Sequence, residues 1–487
     1  MSSCMTYGVR QSFNNRDLER YDKPVDKEAY GQRYYHQQGS QQTRRVEGAR
    51  QGAFAGSSQM RPMAQVHPEN KRINNELKNA NFTKVKRVWN EAKGKKLGFD
   101  SVNFSSALNQ LSREFRNKRE LTREEKGLLN EIVQGFLSHV QECNAWSLAN
   151  TANALAWLLK KCDCREVYNT ILQELKKSEW QKLKECKPQE LSNLANAFAK
   201  AGIFDEELFR EIIHELKRSN WQKLKECNHQ ELSNLANAYA KAGIFDDQLF
   251  SEILHELKRS NWQKLKECNH QGLSNLAWSF AVVGQISVSL FREIFSLLEE
   301  KIRASQKLLK EEARQFVHVQ LALELEGLSH SVKLGKGMKS ELQYWMPHLS
   351  ERWQSSRTHM QVFQVLQQII PEKIKNEVYT DGLSCDMIFD DVIVFEVHGP
   401  THYLPSRQLN GESLFKIRLL SKLNYGVIII PYWEWDILAK KTVSEQKAYL
   451  EIRLQQLRTC EHTHQVSISS DEKDEVARKQ LEVQTIE

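Results

Sequence analysis

One unit of the chain occurs three times in tandem with little change. The copies begin at Cys186, Cys227 and Cys268, so the second and third each start 41 residues after the one before (227 − 186 and 268 − 227). All three contain the phrase Leu-Ser-Asn-Leu-Ala near their start. A unit of this length is too small to bury its own apolar face. The repeat therefore predicts an α-solenoid, in which each unit packs against its neighbours.

The residue pattern of one unit predicts two helices joined by a short turn. Apolar residues from Leu191 to Ala199 recur at helical spacing along one stripe, and Gly202 is a residue type that commonly ends a helix. Asp205 is a suitable N-cap for a second helix, which we expect to reach about Arg218. Each unit is therefore expected to be a helix pair followed by a connector.

The first helix of each unit also carries a polar stripe that returns in the other copies. Amide side chains both donate and accept hydrogen bonds, so they can read the edges of bases. Asn is only a middling helix former, and its return at one place favours a ligand over solubility. The alternative, that these residues face water or cap neighbouring turns, stays open. In the third copy, Trp278 and Val282 replace the second amide and the lysine of the stripe. The predicted RNA-binding residues on the stripe, including a weaker earlier copy, are Asn150, Asn153, Ser192, Asn193, Asn196, Lys200, Ser233, Asn234, Asn237, Lys241, Ser274 and Asn275.

Other segments complete the predicted organisation. Residues 1–75 are rich in Gln, Arg, Gly and Ser without hydrophobic periodicity, which predicts a disordered tail. The solenoid is expected over residues 84–330, with a closing helix pair at 302–327. A small α/β domain is expected over residues 336–460, because β-branched runs there alternate with helical stretches. A charged tail is expected over residues 461–487.

Composition limits the classes of protein to be considered. The formal net charge of +7 permits a nucleic-acid partner without demanding one, and the basic runs at 84–87 and 93–96 are candidate phosphate contacts. Nine scattered cysteines do not form a disulfide framework, which favours a reducing compartment. No apolar run is long enough to span a membrane, and the N-terminus resembles neither a secretory signal nor a transit peptide. We expect a cytoplasmic protein, of bacterial type by preference, with an organelle matrix as the alternative.

Two resemblances to known families follow from particular motifs. The segment Pro188–Gly202 resembles the opening of an octotricopeptide repeat, a helix pair implicated in RNA binding. The segments Phe395–His402, Leu409–Leu420 and Tyr425–Asp436 closely resemble the RAP domain, which closes many organellar RNA-binding proteins. The RAP resemblance implies a restriction-endonuclease-like fold and a role in RNA metabolism. In one version of that role the domain is a retained scaffold, in which Glu396 and His402 hold the fold by hydrogen bonds. The cations that would contact phosphate in that version are Lys416 and Arg418.

The resemblance also implies a possible nuclease centre. That fold cleaves phosphodiesters with a metal ion held by an Asp and a Glu on neighbouring strands, and Asp386 and Glu396 stand in the right order to bind Mg²⁺. They face each other only if Phe389 pairs with Ile393. The sequence departs from the pattern at position 398, which is His where RAP domains usually show Asp and where nucleases usually carry Lys. The predicted catalytic residues, if the domain is a nuclease, are Asp386, Glu396, His398 and His402.

Three functions therefore remain open at this point. The first is an RNA-binding protein that needs no cofactor, recognises single-stranded RNA through its helical repeats and acts in RNA processing or post-transcriptional regulation. The second is a metal-dependent RNA endonuclease that uses the RAP domain. The third is a protein-interaction scaffold, since helical solenoids commonly bind peptides. No membrane partner is expected under any of them, and the oligomeric state is left open.

Overall fold

A computed structural model describes residues 67–93, 98–159, 161–162, 164–304, 306–349, 355–371 and 373–466, with side chains up to residue 457. The predicted disordered tail up to residue 66 and the charged tail beyond residue 466 lie outside the described residues. The first helix begins at Pro68, inside the stretch predicted to be disordered up to residue 75. His67 starts this helix, because its Nδ1 accepts a hydrogen bond from the backbone N–H of Glu69 at 3.2 Å.

Helices are the regular secondary structure of the described chain up to the first strand. Those before the repeats are α1 (Pro68–Leu77), α2 (Phe82–Ala92), α3 (Ser101–Phe115) and α4 (Arg123–Ser138). The repeat region contains α5 (Ala145–Leu155), α6 (Arg165–Lys177), α7 (Gln181–Lys184), α8 (Pro188–Ala201), α9 (Glu206–Arg218), α10 (Gln222–Glu226), α11 (His229–Ala242), α12 (Asp247–Arg259), α13 (Gln263–Lys266), α14 (His270–Val283) and α15 (Val288–Arg303). It is followed by α16 (Lys310–Leu325), α17 (Lys336–Leu349) and α18 (Arg357–Ile369).

The first helices of successive units pack side by side. The helices α3, α5, α8, α11, α14 and α16 contact one another in that order, and we call them the first-helix row. Aromatic pairs join each unit to the next. Phe209 on α9 meets Tyr239 on α11 edge-on, with ring centroids 5.1 Å apart. Phe250 and Phe280 repeat this contact one unit later at 5.3 Å. The predicted α-solenoid of helix pairs is confirmed.

Lysines in the connectors tie neighbouring units together. The Nζ of Lys264 donates to the backbone carbonyls of Lys225 and Cys227 at 2.8 and 2.7 Å, and to the carboxylate of Glu256 at 2.6 Å. Glu256 is buried, so this ion pair supplies the partner that a buried carboxylate needs. Lys223 makes the equivalent contacts one unit earlier. Each connector is therefore hydrogen-bonded to the connector before it.

The end of the helical region differs from the prediction. Only one helix, α16, lies within residues 302–327, because Ile302 still belongs to α15. The partner of α16 is α17, which packs against both α16 and α15. The carboxylate of Glu299 caps α17 by accepting the backbone N–H groups of Gly337 and Met338, both at 3.0 Å. Helix pairs therefore continue past residue 330 to Leu349.

A four-stranded sheet follows, as the predicted small α/β domain required. Its strands are β1 (Ile374–Thr380), β2 (Leu383–Phe389), β3 (Ile393–His398) and β4 (Gly426–Pro431), in the order β1-β2-β3-β4. The β1–β2 and β2–β3 pairs are antiparallel, and β3–β4 is parallel. The crossover between β3 and β4 runs through a one-turn 3₁₀ helix (Pro400–His402) and α19 (Gly411–Lys422), and α20 (Tyr432–Leu438) and α21 (Val443–Val466) follow β4.

The β2–β3 turn sets the register that the nuclease hypothesis needs. Phe389 pairs with Ile393, and the backbone N–H of Val392 donates to the carbonyl of Phe389 at 3.2 Å. Asp390 and Asp391 between them both have positive φ, at 52° and 58°, a conformation that Asp tolerates better than most residues. The two aspartates therefore form the tight turn, and Val392 is the extra residue before β3 resumes pairing.

The two faces of the sheet pack against different partners. One face, which includes Met387, Phe395 and Ile430, forms a separate apolar core with residues of α18 and α21. On the other face, Val394 joins Phe415 of α19 in the apolar core that runs through the helical repeats. This second face therefore lies toward α19 and the solenoid.

No helix in the described residues is both long and apolar enough to cross a bilayer.

Helix α19 packs closely against the ends of the first-helix row. It contacts α11, α14 and α16, and Gly411 sits so near α11 that an added Cβ would collide with the carbonyl oxygen of Ala240. Arg418 donates to the terminal carbonyls of α14, at 3.0 Å to Val282 and also to Ala281. Trp278 of α14 meets Phe415 of α19 edge-on, with centroids 6.2 Å apart. The third unit carries Trp278 and Val282 in place of Asn and Lys where α19 covers it.

We predict that Gly411→Ala loosens this packing. The new methyl group has no room beside the Ala240 backbone, and overpacking of this kind costs about 1–3 kcal/mol. Urea unfolding of the variant should show a lower midpoint than that of the wild type. Gly399→Ala is the matched control, because a Cβ at Gly399 meets no atom within 4 Å. Equal midpoints for Gly411→Ala and Gly399→Ala would contradict the packing described.

Candidate nucleic-acid interface

The serines of the polar stripe lie inside the first-helix row. Ser192, Ser233 and Ser274 are at most 2% exposed. Ser233 Oγ donates to the carbonyl of Gly272 on the next first helix at 3.3 Å, and Ser274 pairs with Gln315 on α16. Ser233 and Ser274 therefore connect neighbouring helices, whereas Ser192 Oγ has no hydrogen-bond partner within the described residues. All three are too deeply buried for a ligand outside the row to reach them in this conformation.

The second amide of each stripe is also enclosed. Asn196 and Asn237 are 5% and 4% exposed. The Nδ2 group of Asn237 has no hydrogen-bond partner within the described residues. The unpaired, buried Nδ2 group of Asn237 carries a free-energy cost, and the side chains of both Asn196 and Asn237 lie away from bulk solvent.

The first amide of each stripe is partly exposed instead. Asn150, Asn193, Asn234 and Asn275 occupy equivalent places on four successive first helices, and all are half-buried. Asn275 Oδ1 accepts a hydrogen bond from Gln315 Nε2 at 3.3 Å. The side chains of Asn193 and Asn234 make no hydrogen bond in the described part of the chain. These four residues, which we call the amide row, are the solvent-accessible part of the stripe, together with the half-buried Asn153.

Cations and one exposed aromatic ring adjoin the amide row. Lys200 Nζ lies 4.0 Å from the ring centroid of Trp157, and the Arg116 guanidinium lies 5.5 Å from the same centroid. Trp157 is 41% exposed, whereas Lys200 and Lys241 are half-buried. Burial, together with repulsion from neighbouring cations, lowers the pKa of Lys200 to about 8. A ring flanked by cations is the arrangement on which an unpaired base stacks. Sequence reasoning missed Arg116, because it lies outside the repeat.

The basic runs near the start of the helical region are largely paired. Lys86 forms an ion pair with Glu124, and Lys93 with Glu131 at 2.7 Å. Arg87 approaches Glu76 at 3.2 Å. Residues 94–97 lie outside the described residues, so the second run is described only at its first lysine. These exposed pairs leave less positive charge for phosphate than the sequence alone indicates.

Acidic residues converge on the face of the RAP-like sheet that lies toward α19. Asp386 on β2 and Glu396 on β3 stand one step beyond the Met387–Phe395 pair, directly opposite each other. Lys416 of α19 donates to Glu396 Oε2 at 2.6 Å. Asp386 Oδ2 accepts the backbone N–H of Val397 at 2.7 Å. We call Asp386, Glu396, His398, His402 and Lys416 the acidic centre. His359 of α18, whose Nδ1 lies 3.6 Å from Asp386 Oδ1, is a neighbour that the sequence did not reveal.

The two predicted histidines stack on each other beside the carboxylates. The rings of His398 and His402 are parallel, with centroids 4.3 Å apart. His402 Nδ1 is hydrogen-bonded to Ser413 Oγ at 3.0 Å. His398 is 2% exposed, and its Nε2 lies 3.9 Å from Glu396 Oε2. Burial lowers the pKa of His398 to about 3, so its imidazole is neutral at physiological pH.

Burial also governs the charges of Glu396 and Lys416. Loss of solvation raises the pKa of Glu396 to about 7. Burial opposes the charge of Lys416 as well, but the carboxylates of Glu396 and Asp386 outweigh it and raise the pKa of the lysine above its usual value. Lys416 therefore remains protonated and supplies the counter-charge for both carboxylates. Arg418 is equally engaged, since it caps α14.

The acidic centre does not fit a divalent metal ion as it stands. One oxygen of Glu396 is taken by the Lys416 ammonium, and Asp386 is held by a backbone N–H and approached by His359. Within the described ranges, no group of three or more His, Cys, Asp or Glu side chains is arranged to hold a metal. Mg²⁺ prefers several oxygen ligands in near-octahedral geometry. The Mg²⁺ site of the nuclease hypothesis therefore lacks a ready ligand set here.

Comparison with known families identifies the C-terminal part of the chain. Residues 395–452 match the RAP domain family, a span that begins in β3, includes α19 and β4, and ends in α21. Three members of the acidic centre besides Glu396 fall within it, namely His398, His402 and Lys416. No curated protein matches the chain significantly in sequence. The chain therefore contains a RAP domain, a class generally associated with RNA binding, and the octotricopeptide resemblance of its repeats stays a prediction.

We predict that His398 makes the folded protein sensitive to acid. The unfolded chain binds a proton at this residue near its ordinary pKa of 6.5, but the folded chain does so only near 3. The contribution of His398 to stability is therefore fully present above about pH 6.5 and is lost as the pH falls, by about 2 kcal/mol at about pH 5. Urea unfolding across this range should show a shallower loss for His398→Asn than for the wild type. His214→Asn, at an exposed histidine of α9, is the control, and a slope unchanged in His398→Asn would refute the prediction.

Proposed function

We propose that this protein recognises single-stranded RNA through its helical repeats and acts in RNA processing or post-transcriptional regulation. The observation that carries the proposal is the amide row, in which Asn150, Asn193, Asn234 and Asn275 recur at equivalent, partly exposed places on successive first helices. Unpaired RNA presents base edges to such side chains, whereas the edges in an RNA duplex are hard to reach. One unit would then face about one nucleotide.

The surroundings of the amide row support a single-stranded ligand. Trp157 offers an exposed ring, and Lys200 and Arg116 place positive charge beside it. A base stacked on this ring would set its phosphate near the two cations. At the other end, α19 of the RAP domain covers the third unit at Trp278, so a strand following the row would meet the RAP domain there.

The proposal is tested by removing the amides that face outward. In the variant Asn193→Ala/Asn234→Ala/Asn275→Ala, we expect affinity for single-stranded RNA to fall on the order of 100-fold, at about 1 kcal/mol for each lost hydrogen-bonding group. Fluorescence anisotropy with a labelled random-sequence RNA pool at fixed salt measures the effect.

The matched control is Gln181→Ala/Gln222→Ala/Gln263→Ala. These glutamines are also exposed amides placed one per unit, but they lie on the connector helices, where each donates to a glutamate four residues later. If the two triple variants lose affinity equally, the amide row is not the reading surface. Failure of the wild type to bind single-stranded RNA at low salt would leave the protein-interaction scaffold.

A second candidate function is cleavage of the bound RNA. The observation in its favour is the convergence of Asp386, Glu396 and Lys416, with His398 and His402, on one face of the sheet. Two carboxylates, a charged lysine and a neutral imidazole are groups that can position and transfer protons during phosphodiester cleavage. The buried, mutually paired state of these groups equally supports a structural role.

Incubation of end-labelled single-stranded RNA with the protein, in Mg²⁺ or in chelator, separates these roles. If the acidic centre cleaves, Glu396→Gln should abolish product formation while RNA binding is retained, and Asp391→Asn, at the exposed β2–β3 turn, should cleave like the wild type. Intact RNA after incubation with the wild type under both conditions would exclude the nuclease function for the substrates tested.

A further inference from the structure

A cavity of about 350 Å³ lies where the repeats meet the RAP domain. The repeats contribute Arg165 at the start of α6 and the turn at residues 202–204 between α8 and α9. The RAP domain contributes the loop that carries Tyr403 and Arg407, together with Tyr432 and Trp433 at the start of α20. A volume of this size is within the range of small-molecule sites in proteins, roughly 300–1,000 Å³.

The lining combines aromatic rings with positive charge. Tyr432 and Trp433 lie with ring centroids 5.2 Å apart, and the guanidinium of Arg407 lies 5.1 Å from the Trp433 centroid. Arg165 is the second cation of the lining, which includes no Asp or Glu among its described residues. Flat rings bordered by guanidinium groups suit a planar base that carries a phosphate.

Tyr403 is a buried residue of the cavity wall. Tyr403 is 9% exposed, and its hydroxyl makes no hydrogen bond within the part of the chain that the structure describes. The hydroxyl oxygen has almost no accessible surface, so the ring of Tyr403, and not its hydroxyl, faces the cavity. The Tyr403 ring also contacts Trp433, with centroids 4.5 Å apart, so the two rings belong to the same wall of the cavity.

The cavity adjoins the acidic centre but is distinct from it. The ring of Tyr403 lies 5.8 Å from that of His398, centroid to centroid, so Tyr403 separates the two. None of the five residues of the acidic centre is part of the described cavity lining. A ligand in the cavity would therefore lie beside the histidine pair without displacing the Glu396–Lys416 ion pair.

We propose that this cavity binds one unpaired nucleotide of an RNA strand. The base stacks on Trp433, and Arg407 pairs with the phosphate. The cavity thus holds a single nucleotide next to the acidic centre while the amide row holds other parts of the strand. This inference deepens the proposed function and rests on it for the source of the nucleotide.

The backbone of Arg407 offers a variant that avoids misfolding. Arg407 has a φ of 64°, in the left-handed region that favours glycine. Its loop is closed by hydrogen bonds from the N–H of Leu404 to the carbonyl of Gln408 at 2.8 Å and from the N–H of Arg407 to the carbonyl of Leu404 at 2.9 Å. Arg407→Gly keeps this turn and removes the guanidinium, so its unfolding midpoint should equal or exceed that of the wild type.

Isothermal titration of the full chain with AMP, UMP and ribose 5-phosphate tests the cavity. We expect saturable 1:1 binding of both nucleotides with a dissociation constant below about 1 mM, and weaker binding of ribose 5-phosphate, which has no base to stack. Arg407→Gly should weaken nucleotide binding about tenfold, as expected for a lost charge-assisted hydrogen bond. Arg113→Ala, at an exposed arginine of α3, should bind like the wild type.

Three results would overturn the assignment. One is the absence of saturable nucleotide binding by the wild type, and another is equal affinity in Arg407→Gly and Arg113→Ala. Binding of ribose 5-phosphate as tight as that of AMP would show an anion site rather than a nucleotide site and would also overturn it. RNA binding that depends on the amide row would survive each of these results, so the cavity can fail while the proposed function stands.

Discussion

The structure depends on one close backbone approach between the RAP domain and the repeats. Gly411 at the start of α19 lies against the last turn of α11, where its backbone N–H is 2.7 Å from the position that a Cβ on Gly243 would take. Any side chain at Gly411 would hold the two helices apart. Arg418 then caps the open carbonyls of α14 about two turns further along α19. Together these contacts make the first-helix row and the second face of the sheet one continuous core.

That packing engages Lys416 and Arg418 of α19 in contacts within the protein. Because α19 lies between the sheet and the repeats, Lys416 faces Glu396 and Asp386, and Arg418 faces helix ends. A buried carboxylate needs a counter-charge, since removing either partner of a buried pair is strongly destabilising. The resemblance to the RAP domain led to the prediction that both residues contact phosphate. The structure instead uses them to join the sheet to α19 and α19 to the repeats.

Most of the fold follows from local sequence patterns, whereas most of the site depends on contacts between residues far apart in the chain. The helix pairs and the β-branched strands were predictable because each depends on nearby residues, whereas the Phe389–Ile393 register appeared in the sequence only as a condition for a nuclease centre. A helical stripe gives the direction of a side chain, but not how near the next helix lies. The sequence therefore grouped Ser192 and Asn193, of which one is buried and the other half-exposed. The sequence shows Trp278 as a departure from the repeat. The ring that Trp278 contacts, Phe415, lies 137 residues away in the chain (415 − 278).

The distribution of charge favours an unpaired ligand over a duplex. Duplex binding draws much of its affinity from many cations that neutralise phosphates. Here the net charge is only +7, and Lys86, Lys264 and Lys416 are among the cations already paired within the protein. What remains at the surface of the proposed interface is a row of amides, the Trp157 ring and a few cations beside it. Such a surface gains its affinity from hydrogen bonds and stacking, and only an unpaired strand exposes base edges and faces to both.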